Sequence, residues 1–188
     1  NEAWIKEATE KRGLCNYRTT PDCIPHVLDK KNVDMLVGHK VFTEAELKSR
    51  CEIQLENYCK TVVIEANTMV SMAKTLIAPA VEAYAADVAK AVAAKRLVDA
   101  NLPCKYESKL IKNLSTLTDR IAGNIEELEI ALQELHEAKD VGDEANAIRD
   151  NVLEKMNALR IACDEAELLT AKKYWPFPTY SDLLFGVK

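Results

Sequence analysis

The residues able to do chemistry in this chain are few and badly matched to one another. Six cysteines stand at Cys15, Cys23, Cys51, Cys59, Cys104 and Cys163. None forms a C-x-x-C pair, and no histidine follows at zinc-finger spacing. They read as scattered small core residues with reduced thiols, since a disulfide framework is denser and belongs to shorter secreted chains. A nucleophilic cysteine needs a neighbouring base and a lowered thiol pKa, and the sequence signals neither, so no catalytic residue is assigned. Cys51 and Cys59 would share a helix face but lie about two turns apart, too far for a disulfide.

Carboxylate-bridged metal centres in helix bundles need Glu-x-x-His on facing helices. No Glu-x-x-His occurs, and the nearest match, Gln133-Glu134-Leu135-His136, offers an amide in place of the acid. His26 and His39 read as turn histidines, so no metal ligand is assigned. The five glycines are scattered singly, without G-x-x-x-x-G-K or G-x-G-x-x-G, and no cofactor-binding residue is assigned either. Glu65 falls in the apolar stretch Val62 to Met69, where a carboxylate is expected to pair with Arg50, Lys60, Lys74 or a backbone amide. The run Glu126-Glu127-Leu128-Glu129 reads as a solvated face.

The elements that would hold these residues are helices. Composition is 48% hydrophobic, with Ala, Leu, Glu and Lys dominant. The expected fold class is all-α: a kinked long helix, an antiparallel coiled-coil-like hairpin, short N-terminal helices and an aromatic and proline-rich tail. Residues 1–42 read as a connector of short helices: Glu2 to Arg12 stopped by Gly13, then Thr20 capping a piece with Pro21 at its first position, then Asn32 to His39. Residues 43–174 read as the bundle. Thr43-Glu44-Ala45-Glu46 is a capping box opening a long helix over 43–100. Its apolar positions include Leu47, Leu55, Tyr58, Val62, Met69, Met72 and Leu76, and beyond Pro79 Val81, Tyr84, Val88, Val92 and Leu97. Pro79 should bend this helix rather than end it.

After Asn101-Leu102-Pro103, a helix is expected over 106–139. Leu110, Leu114, Leu117, Ile121, Ile125, Leu128, Leu132 and Leu135 form a near-heptad seam. Val141-Gly142-Asp143 then turns the chain into a helix over 144–174, with Ala145, Ile148, Val152, Met156, Leu159, Cys163 and Ala166 on one face. So short a turn makes the two antiparallel. Residues 175–188 differ in kind. Trp175, Phe177, Tyr180, Leu183, Leu184 and Phe185 make an anchor kit suited to filling pockets, with Thr179 or Ser181 capping a last turn. Such a tail docks on its own bundle, a neighbouring domain or a sister subunit.

Net charge is −5, from 25 basic and 30 acidic side chains interleaved along the chain. No basic stripe is present to engage nucleic acid. No apolar run reaches the roughly 18 residues of a membrane span. Asn1 as first residue hints at processing or a fragment.

Three blocks carry a resemblance. They are Arg18-Thr19-Thr20-Pro21; Glu46-Leu47 with Ser49-Arg50 and Glu52-Ile53, running through Tyr58, Lys60-Thr61, Ile64-Glu65-Ala66, Thr68-Met69, Met72-Ala73-Lys74 and Pro79-Ala80-Val81; and Trp175-Pro176-Phe177-Pro178-Thr179-Tyr180 with Asp182-Leu183-Leu184-Phe185. In this order, around the hairpin, they resemble the C-terminal helical region of type III glutamine synthetases over essentially the whole chain. Cys51 and Asn67 depart from that pattern. The resemblance implies a parent enzyme that ligates ammonia to glutamate with ATP and Mg or Mn. It implies partners in an upstream catalytic domain and in sister subunits of a homo-oligomer. The reduced thiols, read from the cysteine pattern, suit the cytoplasm or a plastid. None of that enzyme's catalytic, nucleotide or metal residues maps onto this chain. The competing expectation is a free-standing helical adaptor whose heptad hairpin binds partner helices.

Overall fold

Short polar side chains and two prolines set several of the helix starts. In the computed structural model, which describes residues 2–186 and only the backbone of Tyr180, no strand occurs among the described residues. Helix α1 (Glu2–Lys6) widens into a π turn at Glu7–Lys11, and α2 (Thr20–Cys23) runs on as a 3-10 turn, Ile24–Leu28. Then come α3 (Lys30–Gly38), α4 (Glu44–Met72), a π turn at Ala73–Ile77 and α5 (Ala78–Val98). Helix α6 (Lys105–Glu134) closes with a 3-10 turn, Leu135–Glu137; α7 (Val141–Ala147) passes through a π turn, Ile148–Val152, into α8 (Leu153–Leu169), and α9 (Tyr180–Leu184) is last.

The capping box is formed: the Glu46 amide donates to Thr43 Oγ1 at 3.2 Å, and the Thr43 amide donates to the Glu46 carboxylate at 2.7 Å. Gly13 stops the first piece with φ +66, a conformation open to glycine at little cost. Thr19, not Thr20, caps α2, because its extended backbone lets Oγ1 accept from the Asp22 amide while Pro21 sits one position further in. At Pro79 the helix persists. Just before it the Ala78 amide donates to the Ala73 carbonyl five residues back, and this wider turn eases the crowding a proline ring imposes on the preceding turn.

Two boundaries depart from expectation. The helix expected over 106–139 ends its α-helical part at Glu134. Asp140, rather than a break at Val141 to Asp143, starts the next helix, its Oδ1 accepting from the Asp143 amide at 2.8 Å. An aspartate at an N-cap outweighs the glycine two residues on, so Gly142 lies inside the first turn.

The chain divides into two compact units, Asn1–Val63 with Leu135–Asp150, and Ile64–Glu134 with Asn151–Lys188. In the first, Leu47, Cys51, Leu55, Cys59 and Val62 of α4 are buried, as are Ala8, Pro21, Ala145 and Ile148. The Cys51 thiol reaches the Ile24 carbonyl and the Cys59 thiol the Val141 carbonyl. Arg149 pairs with Asp150 and also with Asp22, which together hold its guanidinium pKa above the ordinary value.

In the second unit α6 packs against both α5 and α8. Lys74 meets Glu129 at 2.6 Å and Lys95 meets Glu107, so numbering falls along one helix as it rises along the other. Lys155 meets Glu127 at 2.8 Å, Asn124 donates to the Ala158 carbonyl at 3.0 Å and Arg120 meets Glu165 at 2.8 Å. Both pairings are therefore antiparallel. The seam is buried at Leu110, Leu114, Leu117, Ile121, Ile125 and Leu128, then at Ala131 in place of Leu132, and at Leu135. Val152, Leu159, Cys163 and Ala166 are buried as expected, and Met156 is half-buried.

The inward stripe beyond Val62 is Ala66, Val70, Ala73, Ile77 and Val81, one residue out of step with the expected Met69, Met72 and Leu76. Both sets keep helical spacing, and the small alanines allow the closer approach. Leu97 is 88% exposed, because five residues from Val92 rotate it well off the buried face. Glu65 is exposed and needs no buried partner; of its expected partners, Lys60 pairs with Glu56 and Lys74 with Glu129.

Candidate docking surfaces

The tail is tied down along its first half. Lys172 pairs with Asp182 at 2.6 Å, and Asp182 closes a capping box with Thr179, which settles the cap of α9 on Thr179 rather than Ser181. The Lys172 ammonium, then the Thr179 amide and hydroxyl, hold the Asp182 carboxyl down at about 2. Tyr174 donates its phenol to Asp87 of α5, and its ring lies 5.1 Å from that of Tyr84. Trp175 and Phe177 meet edge-on at 6.1 Å and are half-buried. These contacts fasten the segment to its own unit.

The end of the tail is different. Leu183, Leu184 and Phe185 are 66%, 71% and 79% exposed, three consecutive large apolar side chains. The side chain of Tyr180 and residues 187 and 188, also assigned to the tail, lie outside the described residues. Of the expected anchor kit, the structure brings Trp175 and Phe177 together and leaves Leu183, Leu184 and Phe185 facing outward. Tyr174, Asp87 and Lys172, which do the fastening, were not singled out from sequence. The only signal for them was a tyrosine and a lysine beside the prolines.

A second apolar surface lies in the same unit. Because the buried stripe is out of step with the expected one, Met72 and Leu76 are exposed, and Ile64 is exposed beside them. Ile64, Thr68, Met69 and Met72 line a groove of about 380 Å³ with Cys163, Arg160 and Asp164 of α8.

The polar candidates stay apart from any such surface. Among the described residues no three His, Cys, Asp or Glu side chains gather as a metal site. Glu134 accepts from Asn151, and His136 is exposed. Two carboxylates of the acidic run, Glu127 and Glu129, bridge to neighbouring helices, so that face does more than meet solvent. Cys51, Cys59, Cys104 and Cys163 are buried as expected, and burial pushes the thiols of Cys59 and Cys163 up to about 11. Cys15 and Cys23 are exposed, which corrects the expectation that every thiol is a core residue. Cys15 falls in the irregular stretch 13–18 and Cys23 at the end of α2.

No described helix is long and apolar enough to cross a membrane. Fold and surfaces together define an all-α domain of antiparallel helices carrying an outward-facing apolar tail.

A family model for the glutamine synthetase C-terminal domain matches residues 1–96. The chain belongs to that family. It is 32% identical over 188 residues to a glutamine synthetase of Butyrivibrio fibrisolvens, covering all of this chain and 27% of that protein. It is 29% identical to the type-3 glutamine synthetase of Dictyostelium discoideum, over 96% of this chain and 25% of that protein. A Bacteroides fragilis glutamine synthetase is 27% identical over 98% of this chain and 26% of its own length. The chain thus spans about a quarter of the length of the curated relatives it matches.

Proposed function

We propose that this chain is the C-terminal helical part of a type III glutamine synthetase and serves packing and oligomer assembly rather than catalysis. In the parent, residues 1–42 connect, 43–174 form the bundle and 175–188 dock. Chemistry with ATP, a divalent metal (Mg or Mn), glutamate and ammonia belongs to the upstream catalytic domain, in the cytoplasm or a plastid. The observation that carries this reading is the exposed run Leu183-Leu184-Phe185 at the end of a tail whose first half is fastened to its own unit. Large apolar side chains in sequence, held in place and uncovered, suit burial against another surface of the parent or a sister subunit.

The alternative of a free-standing adaptor draws less support. It needs an open heptad stripe, whereas Leu110 to Leu128 are used up by the helices that pack on α6. Deleting residues 175–188 from the full-length enzyme tests the proposal. Sedimentation is expected to show a smaller assembly and the glutamine-forming assay a reduced rate. An unchanged oligomer with unchanged activity would sink it.

A further inference from the structure

Cys15 and Cys23 are the two thiols exposed to solvent among the described residues, and they flank one feature. The rings of Tyr17 and His26 stack with centroids 4.1 Å apart and planes only 12° from parallel. Cys15 lies two residues before Tyr17 and Cys23 one helical turn before His26, so the stack folds the irregular stretch 13–18 back onto α2 and its 3-10 extension. Two residues reach at most about 7 Å and one turn rises about 5 Å, which keeps both cysteines close to the stacked rings. The Tyr17 phenol registers both: it is pushed above its ordinary value first by hydrogen bonding with the Cys15 thiol and then by desolvation, and the charges of Cys15, Asp29 and Cys23 add smaller effects. His26 is itself held through Nδ1 to Asp29 at 3.1 Å. Residues 13–18 carry no regular secondary structure, so disulfide geometry at Cys15 breaks no helix, whereas Cys23 lies in the helix capped by Thr19.

We propose that Cys15 and Cys23 are a vicinal thiol pair that low-molecular-weight disulfides such as oxidised glutathione convert to an intramolecular disulfide. One thiolate attacks a sulfur of the small disulfide, breaking its S–S bond, forming a mixed disulfide and releasing one small thiolate. The second cysteine then attacks the protein sulfur, closes the Cys15–Cys23 bond and releases the other small thiolate. The two protons lost by the protein thiols end on the two small thiols, so two electrons pass from the protein to the reagent. Closure within one short loop makes the second step intramolecular and independent of protein concentration. The four buried cysteines do not compete in the folded chain.

The test treats the full-length protein with oxidised glutathione at neutral pH, blocks free thiols and digests with trypsin without reduction. Cleavage after Arg12, Arg18 and Lys30 puts Cys15 and Cys23 on separate peptides, 13–18 and 19–30. The expected result is that these two peptides are recovered joined, that the joined species is lost in C15S and in C23S, and that each variant instead keeps glutathione on its remaining cysteine at least tenfold longer. Glutathione retained on both sites of the wild type at the occupancies of the variants would overturn the pair. So would joined peptides that come only from two different chains, or no reaction while an unstructured cysteine peptide reacts fully. Alkylation rates of the reduced protein check that the serine variants remain folded, since the buried thiols must stay protected.

Discussion

At the scale of single residues, burial decides which polar atoms matter. The Tyr58 hydroxyl is buried with no hydrogen-bond partner among the described residues, and burial, more than any nearby charge, raises its phenol pKa. An unsatisfied buried hydroxyl costs about 1–3 kcal/mol. Tyr58→Phe is therefore expected to raise stability by about 1 kcal/mol in urea unfolding, and a loss of that size would show that the hydroxyl has a partner. Asp182 behaves in the opposite sense. Its carboxyl is held at about 2 by Lys172 and Thr179, below the unfolded value of about 3.9. Its support for α9 is thus complete above the unfolded value and is lost as pH falls through the folded one. An NMR titration of the Asp182 carboxyl carbon should show a midpoint near 2, and a midpoint near 4 would mean that the capping box does not persist in solution. These two residues differ in legibility. The Thr179 cap was one of two readings of the sequence, whereas nothing around Tyr58 in the chain announces that its hydroxyl ends up dry.

At the scale of elements, caps count for more than surface ion pairs. Thr43 exchanges two hydrogen bonds with Glu46 at the start of α4, and replacing an N-cap threonine by alanine typically costs about 1 kcal/mol. Lys74 and Glu129 meet across helices, but each is more than a third exposed, where such pairs contribute about 0.2–1 kcal/mol. Thr43→Ala is accordingly expected to lower the urea midpoint more than Glu129→Ala does, and the reverse order would point to a coupled ion-pair network on that face. The capping box was plain from Thr43-Glu44-Ala45-Glu46 because it depends on neighbours in sequence. The π turn before Pro79 was foreseen only as a bend. Its form depends on where the displaced carbonyl finds room, which a linear pattern does not encode.

At the scale of the whole molecule, order should follow the depth of the seam. Leu114, Ile121 and Leu128 are fully buried and α6 is covered from two sides, whereas residues 13–18 hold no regular structure. Amide exchange tracks the free energy of local opening. Exchange in the full-length protein is expected to be slowest over 114–128 and fastest over 13–18 within this chain. Comparable rates in both would argue against a continuous packed seam.

What the sequence by itself determined was whatever rests on local spacing: the all-α class, the antiparallel seam from Leu110 to Leu128, the cap at Thr43, and the resemblance that the family match bears out. Only the tertiary structure decided which of two equally periodic stripes on α4 turns inward, that Cys15 and Cys23 remain outside, and that Tyr174 fastens a tail whose apolar end stays uncovered. The physical reason is that helical periodicity fixes which residues share a face, while which face is buried depends on what the rest of the chain brings against it.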